Sequence, residues 1–183
     1  MAVFKVIQYQ PGYISTKGKY HDDMAVDSVI AYVLNPEKTR NFFFGGHGVN
    51  VNYAAYEMKR LSEAYDKNYG IRLRHMVVSL DKKEERKLGK NRYEVYQMLD
   101  AVAQHAIAYY GHEYQIIYAV HENTKHAHFH MVMNTVSYRT GKKYSGKKKD
   151  YYDFIEYLND YFKQYFGLYV MAVTDEEGNP MVF

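Results

Sequence analysis

Apolar residues recur along this chain with two periods. Alternation at period two predicts strands over "VFKVIQY" (3–9), "IRLRHMVVSL" (71–80), "YQIIYAV" (114–120), "HAHFHMVMNTV" (126–136) and "LYVMAV" (168–173). Helical spacing predicts helices over "VDSVIAYVLN" (26–35), closed by Asn35-Pro36, and over 52–70, ended by Gly70. It predicts two more over 91–110 and 151–166, ended by Gly111 and Gly167. In the first of these, Val95, Met98, Leu99, Val102, Ala106 and Ile107 form one apolar stripe. A loop with Gly and Lys is expected up to residue 25, "NFFFGGHGVN" reads as strand or loop, and the charged "DKKEERKLGKN" (81–91) carries no assignment. The mixture predicts an α+β fold: a central, largely antiparallel sheet with helices packed on one face, leaving the other face for a site.

One strand carries unusual polar positions. In "VHENTKHAHFHMVMN" (120–134), four of the chain's nine histidines fall within ten residues. Strand side chains alternate between faces, so His126, His128 and His130 point one way while Ala127, Phe129 and Met131 point the other. If "ENTK" closes a tight hairpin, residues whose numbers sum to 247 face each other, which puts His121 opposite His126 and beside His128 and His130. Neutral imidazoles gathered on one face suit a divalent metal with open positions. The competing reading is a row of solvated edge-strand histidines; against it, the opposite face of this strand is apolar throughout.

Composition adds limits. With 183 residues and 47% hydrophobic content, one sizeable core in one domain is expected. The absence of cysteine excludes disulfides, thiolate metal sites and a cysteine nucleophile. No long apolar run and no signal-peptide layout occur, so a cytoplasmic location is expected. The net charge of +3 does not by itself imply a nucleic-acid partner, but Arg139, Lys142, Lys143, Lys147, Lys148 and Lys149 form a dense basic run after the histidine strand. Either this run is a solvated loop or it holds DNA phosphates near the metal, with Tyr138 and Tyr144 stacking on bases. Arg72, Arg74 and Lys38 are weaker DNA-binding candidates.

These residues resemble a known family, the HUH endonucleases, and within it the bacterial mobilization relaxases that nick plasmid or conjugative DNA at a transfer origin. The family's third motif corresponds to His121, "ENTKHA", His128-Phe129-His130 and Asn134. "IAYVLNPEKT" resembles the first motif, which implies Tyr32 as nucleophile, with Lys38 and Thr39 after it. "LRHMVVSLDKKE" resembles the second, mapping to Ser79. An acidic residue is common two positions after the first histidine; here Asn123 stands there with Glu122 beside it, so Glu122 becomes the candidate proton acceptor. His126, Asn134, Ser79 and Asn123 are expected to support the ligands.

The resemblance implies an HUH relaxase-like fold, a divalent ion (Mn²⁺ or Mg²⁺, with Zn²⁺, Ni²⁺ or Cu²⁺ also suited to three histidines), and attack by Tyr32 to give a 5′-phosphotyrosine. It implies single-stranded or hairpin origin DNA as partner, along with an accessory DNA-binding protein and a coupling protein. Residues 1–183 are expected to form one nicking domain, the N-terminal part of a longer protein. Three other readings compete. A rolling-circle initiator or transposase would use a late tyrosine such as Tyr151, Tyr152 or Tyr157. A metal-stabilised module would bind nucleic acid without cleaving it. A metal hydrolase would act on a small molecule.

Overall fold

The computed structural model describes residues 2–7 and 20–173; Gln8, Tyr9 and most of the first expected loop lie outside them. Among the described residues six strands form one sheet: β1 (Ala2–Ile7), β2 (Phe44–His47), β3 (Leu73–Ser79), β4 (Tyr114–His121), β5 (His128–Ser137) and β6 (Val170–Ala172). Their spatial order is β2-β4-β5-β3-β1-β6. Every pairing is antiparallel except β1 with β6. The helices are α1 (Asp23–Val33), α2 (Ala54–Ala64), α3 (Lys82–Leu88), α4 (Arg92–Gly111) and α5 (Lys148–Phe166). The α+β class read from periodicity is therefore the observed one.

Strand alternation sends residues into two separate cores. Phe129, Met131 and Met133 of β5, with Ile116, Tyr118 and Val120 of β4, join Leu99, Val102, Phe154 and Leu158 of α4 and α5. Val132, Ile117, Ala119 and Leu73 face the other way, against Val26, Val29, Ile30 and Val33 of α1 and Met58 of α2. Helices thus pack on both faces, not one. The short apolar stripes of α1 and α2 suggest an open second face, yet that face also carries apolar residues, and those stripes bury them.

A helix end, an unassigned stretch and a stripe residue depart from expectation. The helix predicted to Gly70 stops at Ala64, because Asp66 takes the left-handed conformation (φ 51°) and Lys67 N–H bonds the Ser62 carbonyl at 2.7 Å, closing the helix end early. The unassigned 81–91 stretch contains α3, opened by a capping box in which Asp81 and Glu84 satisfy each other's backbone N–H. Met98, placed on the buried stripe of α4, lies at its edge and is 37% exposed.

Candidate metal centre and active site

The β4–β5 register decides whether the histidines meet. His121 pairs with His128 and Ala119 with His130, so the turn runs through 122–127 and not 122–125. This lengthening is by two residues. A period-two structure keeps its parity under such a shift, and His121 stays on the face of His128 and His130. His126 leaves the strand, and its side chain is exposed. Its backbone carbonyl accepts a hydrogen bond from His128 Nδ1 at 2.9 Å.

Each of the three rings is anchored through one nitrogen. A carbonyl can only accept, so His121 Nε2, 2.9 Å from the Val33 carbonyl at the end of α1, carries a proton and leaves Nδ1 with its lone pair. By the same reasoning His128 Nδ1 is protonated and Nε2 is the available atom. His130 Nδ1 lies 2.8 Å from His75 Nε2, and His130 Nε2 is buried with no partner among the described residues. Ligand nitrogens of His121, His128 and His130 all lie within 4.8 Å of one another.

Burial holds these rings neutral, as metal ligation requires. It pulls His121 down to about 4 against the opposing hydrogen bond to Val33. His128 is also lowered by burial, and His130 falls well below the usual histidine range through burial and the neighbouring imidazoles. Neutral rings, one ligand nitrogen from each within 4.8 Å of the others, and a buried Nε2 with no partner among the described residues fit a divalent cation.

Tyr32 flanks the cluster. Its ring centroid is 5.6 Å from both His121 and His130, and Lys38 Nζ lies 3.3 Å from that same centroid. Burial raises the Tyr32 hydroxyl above the ordinary tyrosine value and lowers the Lys38 ammonium. The "NPEKT" turn is stitched in place: Asn35 accepts from Glu37 N, Lys38 N and Thr39 Oγ1, and the Lys38 carbonyl accepts from Glu122 N at 2.8 Å. Ser79 pairs with His128 across β3 and β5 on the same face. A groove of about 750 Å³, lined by Lys5, Ser79, Lys125, His128, His130 and Tyr32 among others, opens onto the cluster.

Several expected site residues serve elsewhere. The Glu122 carboxylate accepts from Asn41 N at 2.9 Å and from Asn41 Nδ2 at 2.6 Å, tying down the segment that follows the Lys38 turn. Asn123 is exposed in the turn. Asn134 lies four residues along β5 from His130, and its Nδ2 donates to the Met58 carbonyl and Gln115 Oε1, tying α2 to the sheet.

The basic run is also displaced. β5 continues from His130 to Ser137 before that run begins, roughly 23 Å of strand at about 3.3 Å per residue. Arg139, Lys142 and Lys143 therefore follow the end of β5 away from the histidines, while Lys147, Lys148 and Lys149 stand at the start of α5 on the opposite face of the sheet, Lys148 lining a pocket with Phe4, Met76 and Met133. Lys149 pairs with Asp153 at 2.6 Å and Lys143 donates to the Tyr69 carbonyl. Tyr144 donates to Asp150, Tyr138 donates to the Gly111 carbonyl at 2.7 Å, and Arg72 is buried against Asp23 at 2.8 Å. The late tyrosines of α5 are on the wrong side: Tyr151 is in the core of the opposite face, and Tyr157 stacks on His105 of α4.

Sequence reasoning missed His75, which sits in β3 as an isolated histidine in an otherwise apolar segment and is 1% exposed. Its parity with Ser79 was the available signal.

A mostly antiparallel sheet with three converging imidazoles and a tyrosine at its surface defines a class of site suited to metal-assisted phosphoryl transfer. The chain belongs to the relaxase family: residues 32–166 match the family described as "Relaxase: MobA/VirD2-like, nuclease domain". It is 29% identical over 140 residues to the Group II intron-interrupted relaxase LtrB of Lactococcus lactis subsp. cremoris, both in strain MG1363 and in a second sequence from the same subspecies. That alignment covers 66% of this chain and 25% of LtrB, so the chain spans about a quarter of the length of these relatives. Its fold is similar to the MobM relaxase domain (MOBV; Mob_Pre), solved Mn-bound with plasmid pMV158 oriT DNA: TM-score 0.53, 12% identity, covering 87% of this chain and 86% of that one. Among the described residues no helix is long and apolar enough to cross a membrane.

Proposed function

We propose that this chain is a nicking and strand-transfer domain that cleaves single-stranded or hairpin DNA at a transfer origin. The observation that carries this reading is that His121, His128 and His130 each bring one ligand nitrogen within 4.8 Å of the others, with the Tyr32 ring 5.6 Å from two of them. The Mn-bound, oriT-bound state of MobM and the LtrB relationship support it.

A divalent ion, Mn²⁺ or Mg²⁺, held by these three histidines would supply Lewis-acid polarisation of the scissile phosphate. The protein's own residues do the rest. The groove along β1 and β3 receives the strand, with Lys5 and Lys125 at its walls. The Tyr32 oxygen attacks phosphorus and the bond to the 3′-oxygen breaks; in net terms the phenol proton ends on the departing 3′-hydroxyl, leaving a 5′-phosphotyrosine. Lys38, over the Tyr32 ring, stabilises the phenolate as it develops. The link keeps the phosphodiester's bond count, so the step reverses when a 3′-hydroxyl returns.

The test is denaturing electrophoresis of labelled origin DNA incubated with the protein, with and without Mn²⁺. A metal-dependent covalent adduct is expected, absent in Tyr32→Phe. An adduct that persists in Tyr32→Phe would overturn the assignment of the nucleophile, and binding without any cleavage would point to the non-catalytic module.

A further inference from the structure

His75 and Tyr20 lie behind the triad and take no part in the chemistry above. The Tyr20 hydroxyl is 3.3 Å from His75 Nδ1, and His75 Nε2 is 2.8 Å from His130 Nδ1. Tyr20 and His75 are each 1% exposed, so neither meets substrate. Strands β3 and β5 present the two imidazoles, and Met76↔Met131 and His75↔Val132 pairing holds the backbone between them in register.

We propose that Tyr20 and His75 are positioning residues: a hydrogen-bonded chain that fixes His130 in the tautomer with Nδ1 protonated and Nε2 bare, and so presents one metal ligand ready-made. This rests on the reading of the triad as a metal site.

The argument is one of hydrogen-bond accounting. A single proton lies between His75 Nε2 and His130 Nδ1, so one of them donates. If His75 donated, His130 would carry its proton on Nε2, a buried N–H with no acceptor among the described residues. If His130 donates, only a lone pair is left bare at Nε2, and His75 in turn has its proton on Nδ1, where the Tyr20 oxygen accepts it. The chain also fixes the ring plane, with the two imidazole centroids 4.9 Å apart and 37° between planes. Metal-ligating histidines are ordinarily oriented this way by a carboxylate or carbonyl. Here the acceptor is a second imidazole that burial and the nearby His121 keep neutral, so the site gains orientation without gaining negative charge.

Two measurements test it. In the metal-free protein, long-range ¹H–¹⁵N correlation of the imidazoles should show His130 with a protonated Nδ1 and a bare Nε2, and His75→Phe should abolish that pattern while leaving His121 and His128 unchanged. Mn²⁺ titration should then show affinity reduced about 10- to 100-fold in His75→Phe, partly restored in His75→Gln, with a smaller loss in Tyr20→Phe. Wild-type Mn²⁺ affinity in His75→Phe, or a protonated Nε2 in wild-type His130, overturns the proposal. If His75→Phe does not fold, the wild-type spectrum and the Tyr20→Phe and His75→Gln titrations decide the question. Absence of Mn²⁺ binding by the wild-type protein would instead overturn the metal-site reading, and the metal-free tautomer would still report on the chain itself.

Discussion

At the scale of single residues, the site is built from groups that burial keeps uncharged. His75 is held to about 3 and His121 to about 4, whereas in the unfolded chain each titrates near 6.5. As pH falls through about 6.5 the unfolded state takes up protons that the folded state refuses. The stability these residues contribute is therefore fully present above about 6.5 and is lost as pH drops toward 4 and then 3. The melting temperature of the metal-free protein should hold steady above pH 7 and fall below pH 6, less steeply in His121→Gln. An equal slope in that variant would place the effect elsewhere. The alternation of His128 with His130 made the cluster legible in the sequence. His75 carried only its parity with Ser79: one histidine among Leu73, Met76, Val77 and Val78 stands out only once folding brings its Nε2 to 2.8 Å from His130 Nδ1.

At the scale of elements, the turn that carries the histidines is clamped from behind. Glu85 of α3 accepts from Ala127 N at 2.8 Å and from Arg92 Nη1 at 2.9 Å, and Arg92 Nη2 reaches the Thr124 carbonyl at 2.8 Å. Tyr96 of α4 adds a bond to the Glu122 carbonyl at 3.0 Å. Glu85 is 6% exposed, so Glu85→Ala leaves a buried N–H unpaired and should cost about 1–3 kcal/mol in urea denaturation. It should also weaken Mn²⁺ binding by loosening the His128 end of the turn. A change under about 0.5 kcal/mol would mean that the turn holds without the clamp. Asp81 and Glu84 stand at capping-box spacing, but the run of Lys, Glu and Arg around them shows no apolar stripe and hides a helix whose buried residues include Glu84 and Glu85. The hairpin register was not readable. Turn length is set by bonds such as Thr124 Oγ1 to the His126 carbonyl, which do not show as a local pattern.

At the scale of the whole molecule, strand parity assigns each face a separate task. The α4–α5 face is an apolar core closed by large side chains such as Phe129, Phe154 and Phe162. The α1–α2 face holds a smaller core at one end and the catalytic candidates at the other, so Tyr32 arrives on a helix already anchored by Val26, Val29, Ile30 and Val33. This geometry separates the basic run from the metal centre. Any hold that run has on DNA is a second grip on a longer substrate: Arg139 and Lys142 follow roughly 23 Å of strand from His130 at about 3.3 Å per residue, and Lys147 and Lys149 lie at the start of α5 on the opposite face. Changing Arg139, Lys142, Lys147 and Lys149 together to Gln should therefore leave the adduct rate on a short oligonucleotide spanning only the nick unchanged. On a longer origin fragment the same change should weaken binding, lowering the slope of log affinity against log salt by about 0.7–0.9 for each phosphate that the variant no longer neutralises. An unchanged slope would make the run a solvated loop, and a slower reaction on the short oligonucleotide would mean the strand bends back across the sheet to reach it.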